Sequence, residues 1–91
     1  MFSAKAITNM IQNAINSSQN GCPSSRDNSF LNILNAKNEQ VALSINFNVN
    51  TITVCHDDKV LKTITITAQK EKDDAYHTAR TVIQEIKSLK V

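Results

Sequence analysis

The chain has 91 residues, 41% of them hydrophobic and 20% charged, which is enough for one folded domain with a modest core but leaves no room for a second. Its formal net charge of +2 comes from ten basic and eight acidic residues scattered along the sequence, so the basic stripe typical of a nucleic-acid binder is missing. With no Trp, four aromatic residues and a single Gly, the chain also lacks the means to stack many bases or to form a glycine-rich phosphate loop.

The N-terminal segment predicts an amphipathic helix over residues 3–18. Its apolar side chains recur at the i, i+3, i+4, i+7, i+8 spacing of one buried stripe, and they are Ile7, Met10, Ile11, Ala14 and Ile15. Asn and Gln interrupt this segment every few residues, so we expect no secretory signal peptide. No apolar run reaches the roughly 20 residues needed to span a bilayer, and we expect no membrane association.

Residues 19–29 predict a linker, because Gly21 and Pro23 are the only residues of their kinds and lie two positions apart. The glycine suits a left-handed position that ends a helix, and the proline prevents the helix from continuing. Residues 30–34 are apolar over too short a length for periodicity to separate helix from strand. We favour a short strand there.

Three strands are predicted over residues 40–49, 51–56 and 60–67, because apolar and polar residues alternate along each of them. The apolar phase shifts near Asn50, as a tight turn would require, and Asp57 and Asp58 supply a second turn. The side chains expected to point inward are Val41, Leu43, Ile45, Phe47 and Val49, then Ile52, Val54 and His56, then Val60, Ile64 and Ile66.

The C-terminal segment predicts a helix over residues 71–89. Its apolar stripe comprises Ala75, Ala79, Val82, Ile83, Ile86 and Leu89. Asp73 and Asp74 near its start and Lys87 near its end suit the helix dipole. The prediction is therefore a single α+β domain of order α-β-β-β-α, in which both helices pack on one face of an antiparallel meander of three strands, or four if residues 30–34 join it.

The opposite face of this sheet is expected to carry no charge. Its predicted residues are Ser44, Asn46, Asn48, Thr51, Thr53, Cys55, Thr63, Thr65 and Thr67. A neutral, small, hydroxyl- and amide-rich face is compatible with cover by a partner or by a second copy, so all of these except Cys55 are predicted to bind a partner. The plainer interpretation is that threonine is simply a favourable residue on the solvent side of a strand.

The residue types of a metal or nucleophilic site occur at Cys22, Cys55, His56 and His77, but their spacing is unfavourable. Cys55 and His56 are consecutive in a predicted strand, so their side chains should point to opposite faces. We therefore expect no metal, no cofactor and no enzymatic activity. Without a secretory signal, both cysteines are expected to be free thiols, although Cys22 lies in a predicted loop from which a disulfide to Cys55 stays conceivable.

The leading hypothesis is a cytoplasmic, non-enzymatic interaction module, such as an adaptor, inhibitor or accessory subunit, that binds a protein partner or forms a homodimer. The alternative is an RNA-binding accessory domain that uses Lys59, Lys62, Lys70 and Lys72. The predicted order of elements is similar to that of double-stranded-RNA-binding domains, but Asp73 and Asp74 follow Lys70 and Lys72 directly, so topology assigns no family. A third, weaker hypothesis is a small enzyme or metal protein around Cys55 and His56.

Overall fold

A computed structural model of the protein describes residues 1–91 and contains two helices and five strands. In chain order these are α1 (Ala4–Ser17), β1 (Gly21–Ser25), β2 (Asn28–Leu34), β3 (Gln40–Phe47), β4 (Thr51–His56), β5 (Lys59–Thr65) and α2 (Lys72–Lys87). The predicted α+β class is confirmed. The order is α-β-β-β-β-β-α, so the predicted count of three or four strands was too low.

Both helices form where the apolar stripes predicted them. Ser3 begins α1, and its side-chain oxygen accepts a hydrogen bond from the Ala6 amide at 3.1 Å, which satisfies a donor that the first helical turn leaves free. The stripe of α1 buries Ile7, Ile11 and Ile15, whereas Ala14, which was predicted to belong to it, is exposed. The helix α2 buries Ala75, Ala79, Val82 and Ile86. Neither helix is long and apolar enough to cross a membrane.

The five strands form one antiparallel sheet in which every strand pairs with the next one in sequence, in the order β1-β2-β3-β4-β5. Alternation along the strands turns the apolar side chains toward the helices, as predicted: Leu31, Leu43, Ile45, Ile52 and Val54 are all at most 1% exposed. They form one core with the stripes of α1 and α2. Aliphatic burial on one face of the sheet is the main stabilisation of this fold.

The predicted linker over residues 19–29 is wrong, because residues 21–25 form β1 and pair with β2, which begins at Asn28. Cys22 lies opposite Phe30 and Pro23 lies opposite Ser29 in this pair. Proline is tolerated here because β1 is an edge strand, where an amide donor on the outer side is dispensable. The segment 30–34, which we favoured as a strand, is confirmed as part of β2.

Two residues expected to point inward do not. Val49 lies beyond the end of β3 and is 64% exposed. Val60 is 57% exposed because the register shifts where β4 pairs with β5: Val54 lies opposite Lys62, whereas Cys55 lies opposite Val60, which leaves Leu61 as an extra residue. Such a bulge turns the side chains of the residues before it to the opposite side of the sheet, so the side chains of Val60 and Cys55 lie on the same face.

The start of α1 is joined to the segment before α2. Phe2 and Gln69 exchange two backbone hydrogen bonds of 2.8 and 2.9 Å in an isolated antiparallel bridge. This bridge places the two helices side by side over the same face of the sheet. The other face of the sheet has no element of the chain over it.

Candidate protein-interaction surface

We call the side of the sheet turned away from the helices the open face. The strand registers and the alternation of burial assign the following residues to it. They are Cys22 and Ser25 of β1; Asn28, Phe30, Asn32 and Leu34 of β2; Gln40, Ala42, Ser44 and Asn46 of β3; Thr51, Thr53 and Cys55 of β4; and Val60, Thr63 and Thr65 of β5. No residue of the open face is charged.

A row of residues that we call the central row crosses the open face from one edge to the other. In the paired registers Cys22 lies beside Phe30, Phe30 beside Ser44, Ser44 beside Cys55 and Cys55 beside Val60. Phe30 is 38% exposed and Val60 is 57% exposed. The central row therefore presents apolar side chains to solvent on every strand except β3, where the residue is the small Ser44.

A polar row lies beside the central row. Asn28, Asn46, Thr53 and Thr63 are neighbours across β2, β3, β4 and β5. The hydroxyl of Ser44 donates a hydrogen bond of 3.3 Å to the side-chain oxygen of Asn28, which links the two rows. Side-chain amides and hydroxyls can both donate and accept hydrogen bonds, so this row can pair with many polar partners.

The structure brings together six of the eight residues predicted to bind a partner and separates two from them. Ser44, Asn46, Thr51, Thr53, Thr63 and Thr65 lie on the open face. Asn48 lies in the turn after β3, where it lines a recess with Lys5 and Asn9 of α1, so it is on the helix side. Thr67 follows the end of β5 and contacts the side chain of Gln69 instead.

Sequence reasoning missed the apolar part of the open face, namely Phe30, Leu34 and Val60. Phe30 and Leu34 lie in the nearly continuous apolar run of β2, in which alternation is masked. The one available signal was Asn32, which lies between Leu31 and Ile33 and marks the outward phase of that strand. Nothing in the sequence marks Val60, because its facing depends on the bulge at Leu61.

The two cysteines lie on the open face in the same row, yet they are far apart. Cys22 is on β1 and Cys55 is on β4, with β2 and β3 between them. Three strand spacings amount to about 14 Å, well beyond the roughly 7 Å limit between the Cα atoms of a disulfide. The chain therefore cannot form a bond between them without losing its sheet, and both are free thiols.

The histidines do not join the cysteines. His56 follows the inward phase of β4, opposite to that of Cys55, and its Nε2 lies 3.8 Å from the Asp57 carboxylate. His77 is exposed on α2. No group of three His, Cys, Asp or Glu side chains is close enough to hold a metal ion.

The four lysines of the RNA-binding hypothesis do not lie on one uniform rim. Lys62 points to the helix side of β5, where its Nζ lies 3.5 Å from the Glu85 carboxylate of α2. The Nζ of Lys72 lies 5.7 Å from the centre of the Tyr76 ring, a cation–π distance. Two of the four lysines are thus engaged with neighbours of their own chain.

Comparison of the chain with known protein families, with curated proteins and with solved structures finds no match. The arrangement of the described residues is therefore the basis for the functional proposal.

Both edges of the sheet carry features that oppose the addition of another strand. Pro23 lacks an amide donor on β1, and β5 has Lys59, Lys62 and the bulge.

A second surface is the groove between the two helices, with a volume of about 600 Å³. Met10 and Ala14 of α1 and Tyr76 and Ile83 of α2 are among its lining residues, and Arg80 and Lys87 add two positive charges. Unlike the open face, this groove is charged.

Proposed function

We propose that this chain is a non-enzymatic protein-interaction module that binds a protein through the open face. The observation that carries the proposal is the absence of charge from a face that extends over five strands. Roughly a quarter to a third of an ordinary solvated surface is charged. The buried centre of a protein interface, in contrast, is depleted of charge and enriched in aromatic residues.

The composition of the open face supports this proposal further. Phe30, Leu34 and Val60 offer exposed apolar side chains, and the neighbouring Asn and Thr residues offer hydrogen bonds, so the open face provides both kinds of contact that protein interfaces use. Because both edges of the sheet are guarded, contact through the face is favoured over strand addition. The exposed free thiol of Cys22 favours a reducing compartment such as the cytoplasm.

Site-specific photocrosslinking tests the proposal. A photoreactive amino acid is placed at Thr63 on the open face and, as the matched control, at Thr81 on the exposed side of α2; both residues are exposed threonines. We expect discrete protein adducts from position 63, and we expect the double substitution Thr53→Lys and Thr65→Lys to remove them because it buries two charges in the interface. No adduct from position 63, or the same adducts from both positions, would contradict the proposal.

A further inference from the structure

We infer that the partner of the open face is a second copy of this chain, packed sheet against sheet about a twofold axis that runs parallel to β3 and passes over Ser44. This inference rests on the proposed function and adds to it the identity and the orientation of the partner. Three properties of the open face support this inference: the absence of charged residues, the order of side-chain sizes along the central row, and the area of the face.

The absence of charge suits self-association in particular. A twofold axis brings one surface against itself, so charged residues near the axis would meet their own kind, and like charges in contact cost several kcal/mol. The open face has no charged residue, and this repulsion does not arise in any orientation. This protein has a net charge of +2, so a different protein could bind it more tightly through opposite charges across the interface. The open face offers no charged residue for such a pairing.

The central row is complementary to itself in size. A twofold axis along β3, the middle strand, places β2 of one copy over β4 of the other and β1 over β5. Phe30 then faces Cys55 of the second copy, and Val60 faces Cys22 of the second copy. At both places a larger side chain meets a smaller one, which is how facing layers interdigitate in a packed core.

The polar row is complementary under the same rotation. Asn28 of β2 faces Thr53 of β4 in the second copy, and Asn46 of β3 faces its own counterpart. Amides and hydroxyls can pair with each other because each group both donates and accepts. An axis perpendicular to the strands would instead place Phe30 against Phe30 and cysteine against cysteine, with crowding at Phe30 and gaps at the small Ser44 and cysteine positions.

The area of the open face sets the expected strength. Five strands about 4.8 Å apart and roughly 20 Å long give about 480 Å² of flat area per copy. Two copies would then remove about 1,000 Å² from solvent, the lower limit for a specific interface. We therefore expect a weak dimer, with a dissociation constant in the micromolar range rather than the nanomolar range.

Sedimentation equilibrium tests the inference with a matched pair of variants. Phe30 on the open face is 38% exposed, and Tyr76 in the helix groove is 47% exposed. We expect the unmodified protein to pass from monomer to dimer between about 1 μM and 1 mM. The substitution Phe30→Lys should weaken this association at least tenfold, or about 1.4 kcal/mol. The control substitution Tyr76→Lys should leave the association unchanged. Urea unfolding of each variant at low concentration verifies that it is folded.

Crosslinking tests the orientation. With both cysteines replaced by serine, a single Ser44→Cys should couple to its counterpart through a short bismaleimide, because Ser44 lies on the axis. The matched control retains Cys22, in the same row at the β1 edge of the open face, as the only cysteine. It should not couple, because the rotation places it opposite β5, whereas an axis perpendicular to the strands would place it against its own counterpart. Coupling of Cys22 to its counterpart would overturn the proposed axis.

The remaining outcomes separate the inference from the proposed function. A protein that stays monomeric up to about 1 mM overturns the inference. If position 63 still yields adducts with a different protein, the proposed function stands without it, and if position 63 yields none, both fall. Association abolished by Tyr76→Lys but not by Phe30→Lys would also overturn the inference and would assign the interface to the helix groove.

Discussion

Replacing Gly21 by alanine should destabilise the fold even though its backbone does not require glycine. Gly21 does not have a positive φ, so the conformation itself would accept an alanine. Space is the constraint, because an added Cβ would lie 2.6 Å from the carbonyl carbon of Ile15 and closer still to its oxygen. That oxygen accepts hydrogen bonds from the amide of Ser18 at 3.1 Å and from its hydroxyl at 2.9 Å, so it is held at the end of α1.

The magnitude follows from what must move. Overpacking of a closely packed site costs about 1–3 kcal/mol, and loss of the two hydrogen bonds to the Ile15 oxygen adds about 1 kcal/mol for each. We therefore expect Gly21→Ala to lower the free energy of unfolding by about 3–5 kcal/mol, a large part of the roughly 5–15 kcal/mol typical of a domain.

The sign of this effect makes the experiment decisive. In open space, Gly→Ala at a compatible backbone position stabilises a protein by about 0.4–1 kcal/mol, because the unfolded chain loses freedom. Urea unfolding followed by far-ultraviolet circular dichroism measures the change, with Ser24→Ala at an exposed position of the same strand as the control. An unchanged or higher midpoint for Gly21→Ala would refute the claim that the end of α1 and the start of β1 are in close contact.

Three further predictions concern single features of the fold. Ser29 is 0% exposed and its hydroxyl has no hydrogen-bond partner, so Ser29→Ala should raise the free energy of unfolding by about 1 kcal/mol; a lower melting temperature would contradict this. Glu71 occupies the N-cap of α2 without a side-chain cap bond, whereas Ser3 makes one in α1, so Glu71→Ser should stabilise by about 0.5–1 kcal/mol in the same thermal assay. The side chains of Lys62 and Glu85 are 42% and 44% exposed. A double-mutant cycle to alanine should therefore give a coupling energy of less than about 1 kcal/mol that decreases as salt is added. A coupling energy that salt leaves unchanged would show that solvent does not screen the pair.

Strong hydrophobic periodicity is what made much of the fold predictable. The stripes of α1 and α2 and the alternation in β3, β4 and β5 reflect burial on one side only, so the observed bounds lie within two residues of the predicted ones. Ile45 and Ile52 are completely buried, as the alternation required. Seven residues of the open face, Cys55 among them, followed from the same alternation, because the outward phase of a half-buried strand must face away from the core.

The strand β1 could not be found in this way because it buries almost nothing. Its residues are all exposed except Gly21, which is half-buried, so its place depends on backbone pairing with β2 rather than on apolar contact. Gly21 and Pro23 therefore suggested a linker. The sequence predicted a left-handed backbone angle at Gly21, whereas glycine is needed there because the backbone of Ile15 lies against it. This close contact depends on how α1 packs on the sheet, which the local sequence does not indicate.

The bridge between Phe2 and Gln69 has a consequence for synthesis of the chain. The first helix leaves the ribosome before any strand, yet the backbone partner that fixes its start emerges only after β5 is complete. Until then the side chains of Ile7, Ile11 and Ile15 have no finished sheet to cover them. During translation the apolar side of this helix is therefore exposed to solvent until the sheet that covers it is complete.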